Sequence, residues 1–132
     1  MNNKELAKLH AIDELWQNMK QEPIGRIVRG GVENPDGHRF VRNANRMVDE
    51  ILSLYDLFSP DYFIPNLAGI NSTLQDEVQR VQHAQKTYSI RATQSNRNNL
   101  TNEMNNVIEH FSRDFFEVLD KIQELKSHGE WE

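Results

Sequence analysis

The sequence predicts an all-α protein, an antiparallel four-helix bundle formed by one domain spanning residues 1–132. Apolar residues recur every three or four positions along most of the chain, which is typical of helices that bury one face. Glycine and proline interrupt this pattern in two short segments and are absent between residues 70 and 128. A chain of this length buries enough surface to form a core without disulfides or metals.

The first helix is predicted at residues 3–21. Its apolar positions form one stripe on an otherwise charged cylinder. They are Leu6, Leu9, Ile12, Leu15, Trp16 and Met19. Pro23 ends the helix, because the residue before a proline avoids helical angles.

The first connection is irregular and rich in glycine and proline. Residues 34–37, Asn-Pro-Asp-Gly, have the composition of a type I turn. The segments "RIVR" and "HRFVR" on either side of it could pair as a short β-hairpin. A hairpin and a loop therefore remain alternatives for residues 25–40.

The second helix is predicted at residues 38–58 and has a wide apolar face near its end, so we expect it to lie deepest in the core. Ser59 and Pro60 end it. An aromatic-rich connector, "SPDYFIPNLAG", follows.

Two further helices are predicted, at residues 71–93 and 99–127. Asn71 or Ser72 is the expected N-cap of the third helix. The apolar stripe disappears in the Asn-rich run 92–99, which predicts a hairpin bend near 94–99. The alternative is one continuous helix of roughly 85 Å that a partner chain would have to cover. Gly129 is expected to cap the last helix.

Composition excludes several classes of site. There is no cysteine, which excludes disulfides, zinc sites with cysteine ligands, iron–sulfur clusters and thiol nucleophiles. No apolar run reaches the roughly 18 residues of a membrane span, and the N-terminal segment lacks the apolar region of a signal peptide. We therefore expect a cytoplasmic protein that does not enter a membrane.

The histidines do not have the spacing of metal ligands, and we expect neither a metal nor a cofactor. His10, His83 and His110 lie on three different predicted helices, so their convergence is one alternative. Asp114 follows His110 by one helical turn and could orient it for acid–base chemistry in a hydrolase or nuclease. A solvated helix face explains the same spacing, and an enzyme is the least supported class.

Five arginines lie between residues 24 and 46, and this segment carries a net charge of +3 in a chain of net charge −5. They are Arg26, Arg29, Arg39, Arg42 and Arg46. Arginine forms two-pronged contacts with carboxylates and phosphates. Three interpretations remain open: pairing within the chain with acidic faces such as 13–14, 49–50 or 76–77, binding of a protein partner, and binding of a nucleic-acid backbone.

Two apolar segments are further candidates for partner docking. Tyr62, Phe63 and Ile64 lie in the connector between two prolines, and Trp131 follows the cap of the last helix. The connector could instead fold back and close the end of the bundle. We predict a non-enzymatic interaction or oligomerisation module, a small subunit or N-terminal domain of a larger assembly. A nucleic-acid-binding helical subunit is the alternative.

Overall fold

The computed structural model of the protein describes residues 2–58 and 67–132, with only the backbone described at residues 67–71. These residues form five α-helices and one short hairpin, which confirms the all-α class. The elements are α1 (Asn3–Gln21), a 3₁₀ helix (Glu22–Ile24), β1 (Arg26–Val28), β2 (Gly31–Glu33), α2 (Gly37–Phe58), α3 (Leu67–Ile90), α4 (Gln94–Asp114) and α5 (Phe116–Ser127).

The first two helices lie where the apolar spacing predicted them. The side chain of Asn2 caps α1 by accepting a hydrogen bond from the backbone N–H of Lys4 at 2.7 Å. Asp36 caps α2, because its Oδ1 accepts the N–H groups of His38 and Arg39 at 2.9 and 3.2 Å. Residues 34–37 are thus the approach to a helix and not the turn of a hairpin. Aspartate is favoured at both kinds of site, so composition could not separate them.

The hairpin exists, but its predicted pairing was wrong. β1 pairs antiparallel with β2, with Ile27 opposite Val32, and the "HRFVR" segment belongs to α2. The turn between the strands is Arg29 and Gly30. Gly30 has a φ of +103°, a left-handed conformation that glycine adopts without steric cost, so the chain reverses within two residues.

The helix α3 begins four residues earlier and ends three residues earlier than predicted. Its first turns include Gly69, the last residue of the predicted connector, because a glycine inside a helix costs only about 1 kcal/mol. The bend lies at residues 91–93. Thr93 caps α4 by accepting the N–H of Asn96 at 3.1 Å, and the Asn96 side chain donates to the carbonyl of Arg91 at 2.8 Å. The Asn-rich run therefore begins α4 instead of forming the bend, and the continuous helix is excluded.

The last predicted helix is divided at Phe115, whose backbone leaves helical angles (φ −110°, ψ 27°). Hydrogen bonds continue across this residue, from its N–H to Phe111 and from the N–H of Leu119 to its carbonyl. The Phe115 ring is buried and lies edge-on to Phe111, with the ring centroids 5.2 Å apart. The kink leaves the next residue, Phe116, exposed.

Neighbouring helices pack in antiparallel pairs. Lys8, near the start of α1, binds Glu50 in the second half of α2 at 3.3 Å, and the most extensive contacts join α1 with α2 and α3 with α4. Asp13 of α1 binds Lys126 of α5 at 2.9 Å, which holds the end of the chain against α1. The largest fully buried apolar side chains come from α1, α2, α4, α5 and the kink between the last two. They are Leu9, Ile12, Met19, Phe40, Met47, Ile51, Leu54, Leu100, Met104, Phe115 and Ile122. Within residues 2–58 and 67–132, no helix is both long enough and apolar enough to cross a membrane.

Candidate partner-binding surface

Arg39, the central arginine of the charged segment, is engaged within the chain. Its Nε and Nη2 donate to the two carboxylate oxygens of Glu22 at 3.0 and 2.8 Å, and its Nη1 donates to Glu33 at 3.1 Å. Glu22 is 1% exposed and also accepts the backbone N–H of Asp36 at 2.9 Å. The hydrogen bonds with Glu22, and then the charges of the nearby carboxylates, raise the pKa of Arg39 above its ordinary value.

Glu22, Glu33 and Arg39 form what we call the Arg39 clamp. It joins the 3₁₀ helix that follows α1, the strand β2 and the first turn of α2. The two-pronged contact with Glu22 has a fixed geometry because the guanidinium is planar. The position of Arg39 therefore determines where the hairpin lies relative to the helices.

The clamp uses different acids from those that the sequence suggested. Each of the three acidic pairs that we considered has one member already bound to another basic side chain. These contacts are Asp13 with Lys126, Glu50 with Lys8, and Glu77 with His110. Nothing in the sequence marked Glu22 as the partner of Arg39, because a glutamate before a proline is common at the end of a helix.

The other four arginines are exposed. Arg26 and Arg29 lie on the hairpin, whereas Arg42 and Arg46 lie on α2. None of them forms an ion pair with a residue that the structure describes. Arg46 borders a shallow hollow between α1 and α2. The five arginines are thus divided between a structural clamp, a hairpin and a helix face.

The outer face of the hairpin is apolar and exposed. Ile27 and Val32 are opposite each other across the strands and are 84% and 64% exposed. Side chains alternate between the faces of a strand. The other face carries Val28, which is half-buried, and Glu33, which reaches Arg39, so that face lies against the helices. Ile24, just before the hairpin, is 76% exposed.

We call Ile24, Ile27 and Val32, together with Arg29 of the adjoining turn, the hairpin surface; Arg26 is opposite Glu33 and belongs to the other face. Its apolar residues were not among the docking residues predicted from the sequence. Their signal was the glycine pair within "RIVRGGVE", which permits a tight turn between two short strands and so brings Ile27 opposite Val32.

The other predicted docking residues have different outcomes. Trp131 is half-buried and packs on the ring of His10, with ring centroids 3.9 Å apart, and the Lys126 ammonium lies 5.3 Å from its centroid. The last residues of the chain thus fold back on α1 and α5. Tyr62, Phe63 and Ile64 lie outside the described residues.

His110 pairs with a carboxylate, but across a helix interface. Its Nδ1 contacts Glu77 of α3, not Asp114 on its own side of the kink. Burial raises the pKa of Glu77; the charges of His110 and Arg80 oppose this effect, and that of Asp114 adds to it. His10 contacts Trp131, so it does not join His110. No group of three potential metal ligands occurs among the residues described.

Comparisons with protein-family models, with curated proteins and with solved structures found no match for this chain.

Proposed function

We propose that the chain is a non-enzymatic protein-interaction module that binds its partner through the hairpin surface. The observation that carries this proposal is the exposure of Ile24, Ile27 and Val32 on a hairpin anchored to the helices. We further propose that the helices form a four-helix bundle, with α4 and α5 acting as one bent helix. The absence of cysteine fits a reducing compartment such as the cytoplasm.

The hairpin is held in a way that suits binding. A two-stranded hairpin is marginally stable alone, yet this one is fixed by the Arg39 clamp and by Gly25 at its base. Gly25 has a φ of +90°, and an added Cβ would lie 2.6 Å from Val32 and 2.8 Å from the Glu33 carbonyl. Such close packing orders the strands before any partner binds, which lowers the entropic cost of association.

The exposed side chains are large enough to matter energetically. Full burial of an isoleucine or valine side chain gains about 1.5–3 kcal/mol. Interfaces commonly consist of a few apolar anchors surrounded by polar groups, and arginine is enriched in them. Ile27 and Val32 fit the role of anchors, and Arg29 fits that of a surrounding polar group.

The proposal is tested by quantitative capture of partners from a lysate of the source cells. The bait is the wild-type chain, an Ile27→Asp/Val32→Asp variant or a Phe116→Asp control, which changes an exposed apolar residue on α5. Circular dichroism verifies that all three are folded. We expect specific partners to be lost from the hairpin variant and kept by the control. Partners that persist with the hairpin variant would contradict the proposal.

Nucleic-acid binding is the second candidate, because Arg26, Arg29, Arg42 and Arg46 are exposed and free of ion pairs with described residues. The one aromatic residue of the segment, Phe40, is 1% exposed and cannot stack on bases, which removes the usual support for single-strand binding. Titration of duplex and single-stranded oligonucleotides at several salt concentrations tests it. If the arginines bind phosphates, the logarithm of the association constant for duplex DNA should fall by about 0.9 per phosphate contact for each tenfold increase in salt concentration.

A further inference from the structure

We infer that the hairpin surface receives an acidic segment of another protein that carries aliphatic side chains. This inference rests on the proposed function and specifies the chemistry of the partner. It follows from the charges that surround the apolar residues at this end of the molecule.

The start of α4 places Arg97 beside the hairpin, and the bend that precedes α4 carries Arg91. The Nη2 of Arg97 lies 3.9 Å from the position that a Cβ of Gly25 would occupy, so its guanidinium is beside the base of the hairpin. Arg91 belongs to the bend that the Asn96 side chain closes. Ile90, which precedes this bend, is exposed and adds another aliphatic group to the same end.

The three carboxylates nearest the hairpin in the sequence already bind groups within the chain. Glu22 and Glu33 both bind Arg39, and the Asp36 carboxylate accepts the first N–H groups of α2. No described carboxylate pairs with the remaining arginines of this end. They are Arg26, Arg29, Arg91 and Arg97. The hairpin end therefore has a surplus of positive charge on a chain whose net charge is −5.

An acidic, aliphatic segment complements both properties. Its apolar side chains would cover Ile27 and Val32, and its carboxylates would pair with the arginines that surround them. A second copy that used the same face would place these arginines against one another, which is unfavourable. A second copy that used an acidic face elsewhere would assemble head to tail into rings or filaments. A phosphate backbone would leave the isoleucines exposed.

Photo-crosslinking tests this chemistry directly. p-Benzoylphenylalanine replaces the exposed Ile24, which leaves Ile27 and Val32 intact, and the full chain is irradiated in a lysate of the source cells. Crosslinked peptides are then sequenced by mass spectrometry. The same bait is also prepared with Arg29→Glu/Arg97→Glu, since Arg97 lies beside Gly25 and Val32, and with Arg42→Glu/Arg46→Glu as a control of equal charge change on α2.

We expect crosslinked peptides that are acidic and rich in aliphatic residues. Their yield should fall about tenfold with charge reversal of Arg29 and Arg97, as expected for the loss of two ion pairs and the new repulsion, and should be retained in the α2 control. Neutral or basic peptides, or a yield unaffected by Arg29→Glu/Arg97→Glu, would overturn this inference and leave the proposed function standing. An equal loss of crosslinking yield in the α2 control would also overturn the inference.

Crosslinks to a second copy of the chain or to nucleic acid would also overturn the inference. The absence of any protein adduct from a folded, correctly labelled bait would overturn both the inference and the proposed function.

Discussion

Replacing Glu22 with glutamine removes the charge of the Arg39 clamp that is most deeply buried while keeping the side-chain shape. The Glu22 carboxylate accepts two hydrogen bonds from Arg39 and one from the N–H of Asp36. Removing one member of a buried ion pair costs about 3–5 kcal/mol, because the remaining charge loses its partner where water cannot replace it. Arg39 keeps Glu33 and is one-fifth exposed. We therefore expect a loss at the lower end of this range, about 3 kcal/mol.

Glu33→Gln is the matched control, because it removes the same kind of charge from the exposed side of the clamp. The Glu33 side chain is 46% exposed, and an exposed ion pair contributes only about 0–1 kcal/mol. Urea unfolding followed by circular dichroism gives both values, and the Glu22 variant should also melt about 10 °C below wild type. Equal losses in the two variants, or a loss below about 1 kcal/mol for Glu22→Gln, would refute the buried clamp.

Three further predictions concern packing and pH. Gly37→Ala should destabilise the fold by about 1–3 kcal/mol in urea unfolding, since the new Cβ would lie 2.7 Å from the Cβ of Gln85; a neutral result would show that α2 and α3 separate easily. Because burial raises the pKa of Glu77, the folded chain keeps the proton of the Glu77 carboxyl group to a higher pH than the unfolded chain does. Stability relative to Glu77→Gln should thus fall as the pH rises from the ordinary glutamate value of about 4.3 upward. A pH-independent difference in urea midpoints would contradict the raised pKa. Ile122→Ala, in the core, should cost about 2–5 kcal/mol in the same assay, whereas Phe116→Ala, an exposed neighbour, should stay within about 0.5 kcal/mol of wild type; similar costs would argue against the kink between α4 and α5.

The apolar spacing along the sequence was sufficient to locate the first two helices. The stripes of α1 and α2 predicted both elements within one residue of their bounds, because a helix that buries one face needs apolar residues every three to four positions. The same argument could not detect the kink at Phe115. The hydrogen bonds and the apolar spacing both continue through that residue, and only its backbone angles depart from a helix.

The ends of α3 and α4 show where local composition was ambiguous. Gly69 was assigned to the connector and the Asn-rich run to a bend, since glycine and asparagine both have low helix propensity. One glycine costs little in a helix of 24 residues, and an asparagine near a helix start can bind free backbone groups, as Asn96 does with Arg91. Propensities of this size are overruled by packing.

The candidate surface depended on the tertiary structure to a much greater degree. The five arginines and their charge surplus could be read from the chain, but their separate roles could not. Arg39 binds Glu22, which is 17 residues away, and its contacts with Glu22 and Glu33 turn one face of the hairpin toward the helices.

By itself, then, the sequence determined the all-α class, the first two helices and an unusual concentration of arginine, because these follow from local spacing and composition. The tertiary structure alone decided which arginine is held within the fold and which isoleucine and valine side chains remain exposed. The physical reason is that an ion pair or an exposed apolar pair depends on distances through space, which the order of residues along the chain does not specify.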